Sequence, residues 1–234
     1  MTTIDEGSAA PEGRLHRALD VIDDRLGVKA LQYPVPEHAN TLGWSLGGLT
    51  AATLFVLIAT GIVLAQFYNP IPESANASVR DITTDVWAGQ FLRGVHYWAA
   101  QAMYVLAALH LLRVFLTGSY KRPREANWLV GVALLALTLA FAFSGSVLRW
   151  DQEAWEALQH NLEAAELLSA VGAWFSPEFA RSVPILERLY IAHISLLPLL
   201  LFIFLAFHFF LIKRHGVSAL PAQADAGEAP GGVL

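Results

Sequence analysis

RGVHYWAAQAMYVLAALHLLRVF (residues 93–115) and YIAHISLLPLLLFIFLAFHFFLIK (residues 190–213) carry the architecture of this chain. Each is an apolar run long enough to cross about 30 Å of hydrocarbon as a helix. Each holds two histidines: His96 and His110 in the first, His193 and His208 in the second. The pairs are 14 and 15 residues apart. At about 1.5 Å and 100° per residue, either interval returns to roughly one helix face after about 21–23 Å of rise. Two such helices side by side present a facing imidazole pair near each edge of a bilayer. Two haems stacked across the membrane, each iron held by two imidazoles, fit that layout, which moves electrons from one side to the other.

Composition agrees. The chain has 234 residues, 55% of them hydrophobic and 15% charged, with a mean hydropathy of +0.46. That is too apolar for a soluble domain and points to a multi-span membrane protein. Cysteine is absent. A disulfide, an iron–sulfur cluster, a thiolate zinc site and a thioether-attached haem are therefore excluded on this chain. The opening MTTIDEGSAAPEG is polar and acidic, with no apolar core, and does not read as a signal peptide.

Four runs reach spanning length: A from about Trp44 to Phe67, B from about Gly94 to Phe115, C from about Trp128 to Leu148 and D from about Leu189 to Ile212. Backbone left unpaired in lipid is costly, so all four are helical. The B–C link is basic (Lys121, Arg122, Arg124), as are the end of D (Lys213, Arg214) and the N-terminal segment (Arg14, Arg17, Arg25, Lys29). The A–B and C–D links are acidic. The positive-inside rule puts the basic regions and both termini in the cytoplasm, the n side, and the acidic links on the p side. Leu15, Leu19, Ile22 and Leu26 recur at helical spacing and predict an amphipathic helix, on the membrane surface or against a partner. The chain thus divides into residues 1–30 (tail and surface helix), 31–215 (an all-α transmembrane four-helix bundle) and 216–234 (a disordered tail). The C–D link is rich in Ala, Leu and Glu and predicts one or two short surface helices.

Ionisable residues inside a span are expensive and mark function. His16, His38, His160 and His215 lie outside the spans and are read as ordinary surface histidines. Topology pairs His96 with His193 toward the p side and His110 with His208 toward the n side. Structural zinc wants four ligands and each pair offers two. Spans A and C carry Gly47, Gly61, Gly131 and Gly145, each pair 14 apart like His96 and His110. Such glycines give a flat haem clearance against the backbone. Arg93 and Arg113 lie three residues from His96 and His110, on the ligand face, where a guanidinium suits a haem propionate. Pro198 is expected to kink span D.

These residues resemble the cytochrome b family, specifically the N-terminal, haem-carrying half in its split b6 form. The matching strings are YPVPEHAN (33–40), LGGLT with ATG in span A, RGVHYWAAQ (93–101), ALHLLRVFLTGSYKRPREANWLVG (108–131), SGSVLRWDQ (144–152), YIAHISLLPLL (190–200) and HFFLIKRHG (208–216). The 15-residue interval in span D marks the b6 branch. The resemblance implies two haems b and the electron-transfer subunit of a quinol:cytochrome c (or plastocyanin-type) oxidoreductase, not catalytic alone. It implies a Rieske iron–sulfur protein, a c-type cytochrome and a subunit IV-like chain bearing the remaining helices as partners, in a homodimeric complex of a prokaryotic cytoplasmic membrane. Quinol would be oxidised on the p side, at a pocket bordered by Trp150, Asp151 and Gln152, and a quinone reduced on the n side. Three positions depart from the family pattern. Ser45 stands where the b6 branch has the Cys that attaches an extra haem, Lys213 where it has the associated Arg, and Arg149 where it has the Pro before Trp-Asp-Gln. Two further readings stay open: a membrane haem subunit passing quinol electrons to a molybdenum-type oxidoreductase, and a non-redox membrane scaffold.

Overall fold

The structure is a computed structural model and describes residues 39, 41–167 and 172–218, without the side chains of 177 and 178. The expected surface helix at 15–26 and the tail beyond 218 lie outside the described residues. Among those described there are helices and no strands. Spans A, B and C are α1 (Leu42–Leu64), α3 (Gly89–Leu116) and α4 (Glu125–Val147). Span D is one continuous helical rod, Ile185–His215, made of α6 (Ile185–Ile191), a π-turn (Ala192–Leu196) and α7 (Leu197–His215). All four are long and apolar enough to cross a membrane. Their outward faces are unburied apolar surface: Phe55 is 73% and Leu116 72% exposed. In water that would be a large liability; in lipid it is the required surface.

Two helices cover one end of the bundle, where the A–B and C–D links lie. The A–B link holds α2 (Pro72–Thr84), which the sequence reading did not anticipate; Pro72 opens it, where a missing N–H costs nothing. The C–D link holds α5 (Gln152–Glu166), followed by short 3₁₀ turns at Gly172–Phe175 and Pro177–Ala180. Asp151 caps α5 by accepting from the Ala154 N–H at 2.9 Å. The only contiguous buried core among the described residues forms at this end: Ala75, Val147, Leu158, Leu186 and Leu189, with Tyr68, Trp150 and Trp174 packed on it. Arg188 is 8% exposed and ties the C–D link to span D: it donates to the carbonyls of Trp174 and of Ser176 (3.1 Å), and its guanidinium lies over the Trp174 ring.

At the opposite end Arg124, just before α4, donates to the carbonyls of His215 (3.1 Å) and Gly216 (3.3 Å). Those are orphan acceptors at the C-terminus of α7, so a cation there both satisfies them and meets the negative end of the helix dipole. This fixes the axial position of span D against span C. Span A packs chiefly on B, and C on D, with B also touching C.

Candidate haem-binding site

Each of the four glycines singled out above abuts one of the four histidines. A Cβ placed on Gly47 would sit 3.1 Å from Cε1 of His110, and one on Gly61 would sit 3.2 Å from Cε1 of His96. On Gly145 it would lie 2.9 Å from Cε1 of His193, and on Gly131 3.8 Å from Cε1 of His208. Span A thus seats both histidines of span B, and span C both histidines of span D. The contact found is with the imidazole edge itself: each glycine lets a ring lie against the neighbouring backbone, with Cε1 inward.

At the two-link end both Nδ1 atoms are held. Thr60 Oγ1 lies 2.9 Å from Nδ1 of His96, and Ser144 Oγ 2.9 Å from Nδ1 of His193. The direction of these bonds follows from where each hydroxyl spends its proton. Thr60 donates to the Val56 carbonyl (2.7 Å) and Ser144 to the Ala140 carbonyl (2.8 Å). Each oxygen therefore accepts from an Nδ1–H. That tautomer leaves the Nε2 lone pair for a metal and fixes the ring's rotation. Neither Thr60 nor Ser144 was picked out from the sequence. The signal was there: each immediately precedes its glycine, as Thr60–Gly61 and Ser144–Gly145.

His96 and His193 lie within electrostatic reach of each other, as do His110 and His208, so the structure brings together the pairs that topology suggested. At the B–C end the Nδ1 atom of His110 is buried and makes no hydrogen bond. Nε of Arg113 is likewise buried without a partner, while its guanidinium stacks 4.5 Å above the Trp44 ring. A buried, unpaired guanidinium N–H costs about 1–3 kcal/mol and fits an anionic group supplied from outside the chain. The residues at both ends suit a haem: imidazoles in the ligating state at one, an orphaned cationic donor beside an imidazole pair at the other.

The remaining expected residues are dispersed. Arg93 lines a cleft of about 330 Å³ at the two-link end, with Arg80, Arg149, Asp151 and Thr83 among its walls. Asp151 is engaged twice, as the α5 cap and in an ion pair with Arg149 (3.2 Å). Arg149 also pairs with Glu153 at 2.9 Å, so two carboxylates offset the charge that replaces the family's proline. Trp150 has a left-handed backbone (φ 50°), unusual for a bulky residue, and meets Trp155 edge-on. Gln152 donates to Glu156 at 2.9 Å. At the other end Ser45 is half-buried and bonds its own helix at the Thr41 carbonyl (3.0 Å), and Lys213 is exposed on the last turn of α7.

The cytochrome b family model described as Cytochrome b/b6/petB matches residues 30–216. The chain belongs to the cytochrome b family. Among curated proteins it is 41% identical over 191 residues to cytochrome b6 of Heliobacterium mobile, covering 80% of this chain and 90% of that one. It is 40% identical over 207 residues to cytochrome b6 of Heliomicrobium gestii, covering 87% and 93%. A solved structure titled "Hyperthermophilic respiratory Complex III" has the same fold, with a TM-score of 0.75 at 23% identity. The match covers 86% of this chain and 56% of that one. This is a b6-type cytochrome b, an integral membrane electron-transfer protein, and membership in the family implies haem b.

Proposed function

We propose that this cytochrome b is the dihaem subunit of a quinol-oxidising Rieske/cytochrome b-type complex, linking a p-side quinol site to an n-side quinone site with proton translocation. The observation that carries this reading is the seating of all four imidazoles. Two pairs lie at opposite ends of two rods, and each ring rests on a glycine of the neighbouring rod. Each pair offers two neutral imidazole donors and no further protein ligand among the described residues, a donor set that suits a haem iron better than a bare metal ion. When bound, haem b supplies an iron that takes up and releases one electron.

The chain's own residues do the rest. His96 and His193 would hold the p-side iron, and His110 and His208 the n-side iron. Thr60 and Ser144 keep the proton on Nδ1. Arg113, and Arg93 from its cleft, would pair with propionates. Trp150 and Asp151 link span C to α5 and Gln152 opens α5, at the edge of the p-side quinol pocket. With no cysteine, this chain holds no covalent haem. The partners on this reading are a Rieske protein, a c-type cytochrome and a subunit IV-like chain, in a homodimer in a prokaryotic cytoplasmic membrane with both termini cytoplasmic.

The test is haem b per polypeptide in the purified complex, with the co-purifying chains identified. Two haems and a Rieske protein are expected, and His208→Ala should lose one haem while keeping the p-side spectrum. One haem or none in the wild type would end the reading. A molybdopterin subunit in place of the Rieske protein would move the chain to the second quinol-linked reading.

A further inference from the structure

Span D has one residue too many. Gly131 and Gly145 are 14 apart in α4, a regular helix, and His193 and His208, which rest on them, are 15 apart. In a regular α-helix 14 residues fall about 40° short of four turns and 15 run about 60° past them, so the extra residue would swing one ring about 100° off its glycine. The structure shows both rings seated, and it shows where the surplus goes. Residues Ala192–Leu196 form a π-turn, closed by the Leu197 N–H on the Ala192 carbonyl. A π-turn bonds i to i+5 and so fits one additional residue into a single turn. Pro198 follows at the start of α7, where its missing N–H removes no bond that the π-turn needs.

We propose that the π-turn at Ala192–Leu196 is a register corrector, absorbing the surplus residue so that both imidazoles of span D point at one face. The inference rests on the reading of His193 and His208 as ligands. It makes span D equivalent to a 14-residue span and assigns residues 192–197 a positioning role for both irons. Span B, regular α-helix between His96 and His110, has no such turn.

Deletion of Pro198 tests it in the full chain and its complex. The variant has a 14-residue interval and no proline, so the π-turn can close to α-helix without rotating either ring. Expected is a wild-type haem-to-protein ratio and low-spin bis-imidazole spectrum, against a halved ratio on deletion of Ala107 from span B. If deletion of Pro198 costs as much haem as deletion of Ala107, the proposal is overturned. Should the variant fail to accumulate, deletion of Leu200 is scored in the same way, and failure of both to accumulate counts against it. A haem-independent arm separates this inference from the functional reading. The chain has no cysteine, so Gly131→Cys with His208→Cys gives a unique pair for a short thiol cross-linker. Equal cross-linking with and without Pro198 supports the corrector, and loss on deletion refutes it. A wild type with fewer than two haems would sink the functional reading alone.

Discussion

Gly145→Ala tests the seating of the imidazoles at its tightest point. In an open helix position, alanine for glycine stabilises by about 1 kcal/mol. At Gly145 the new methyl would lie 2.9 Å from Cε1 of His193, closer than carbon atoms tolerate. The ring must move, and it is pinned by the 2.9 Å bond from Nδ1 to Ser144 on the same helix as the methyl. Overpacking of this kind costs about 1–3 kcal/mol. A strained or broken hydrogen bond adds about 1 kcal/mol. The net loss works out at about 1–3 kcal/mol. Two controls give the opposite sign. At Gly131 the methyl would meet His208 and Leu111 at an ordinary 3.8 Å, and at Gly48 nothing lies within 4 Å. The assay is the denaturant midpoint of the detergent-solubilised chain, with p-side haem absorption followed in parallel. Gly145→Ala should unfold earliest and Gly48→Ala latest, with Gly47→Ala and Gly61→Ala between (3.1 and 3.2 Å). A Gly145→Ala protein at least as stable as Gly131→Ala would refute the claim that this glycine is there to admit the ring.

Two further outcomes follow from particular hydrogen-bonding groups. Thr60→Val strips the acceptor from His96 Nδ1–H and should cost about 1–3 kcal/mol with a change in the p-side haem's low-spin EPR signal, while Thr60→Ser restores both. An unchanged signal in the valine variant would mean the hydroxyl does not hold the ring. The Tyr68 hydroxyl is buried without a partner beside Tyr190, and burial first, then Tyr190, pushes its pKa above the ordinary phenol value. The folded state therefore keeps this proton at a pH where the unfolded chain has lost it, and stability falls as pH rises above about 10. Tyr68→Phe should flatten that alkaline limb in a pH series of unfolding midpoints and cost nothing near neutrality; a wild-type slope in the variant would exclude Tyr68 as its source.

The four spans, their histidines and the 14-residue glycine intervals were legible in the sequence because lipid imposes length and apolarity on each helix separately. A single helix carries its own periodicity, so the one-faced placement of His96 and His110 needed no partner to be seen. What lay across helices was hidden. That Thr60 and Ser144 hold Nδ1, that Arg113 stacks on Trp44 rather than standing free, and that each glycine lies against an imidazole edge depend on inter-helix rotation. Rotation is set by packing between neighbours, and no window of one helix encodes it. The surplus residue in span D shows the division most plainly. Counting finds it, but only the tertiary structure decides whether it turns His208 away or is taken up in a π-turn, because the ring's contact with span C and the regular ladder of span D compete, and here the contact wins.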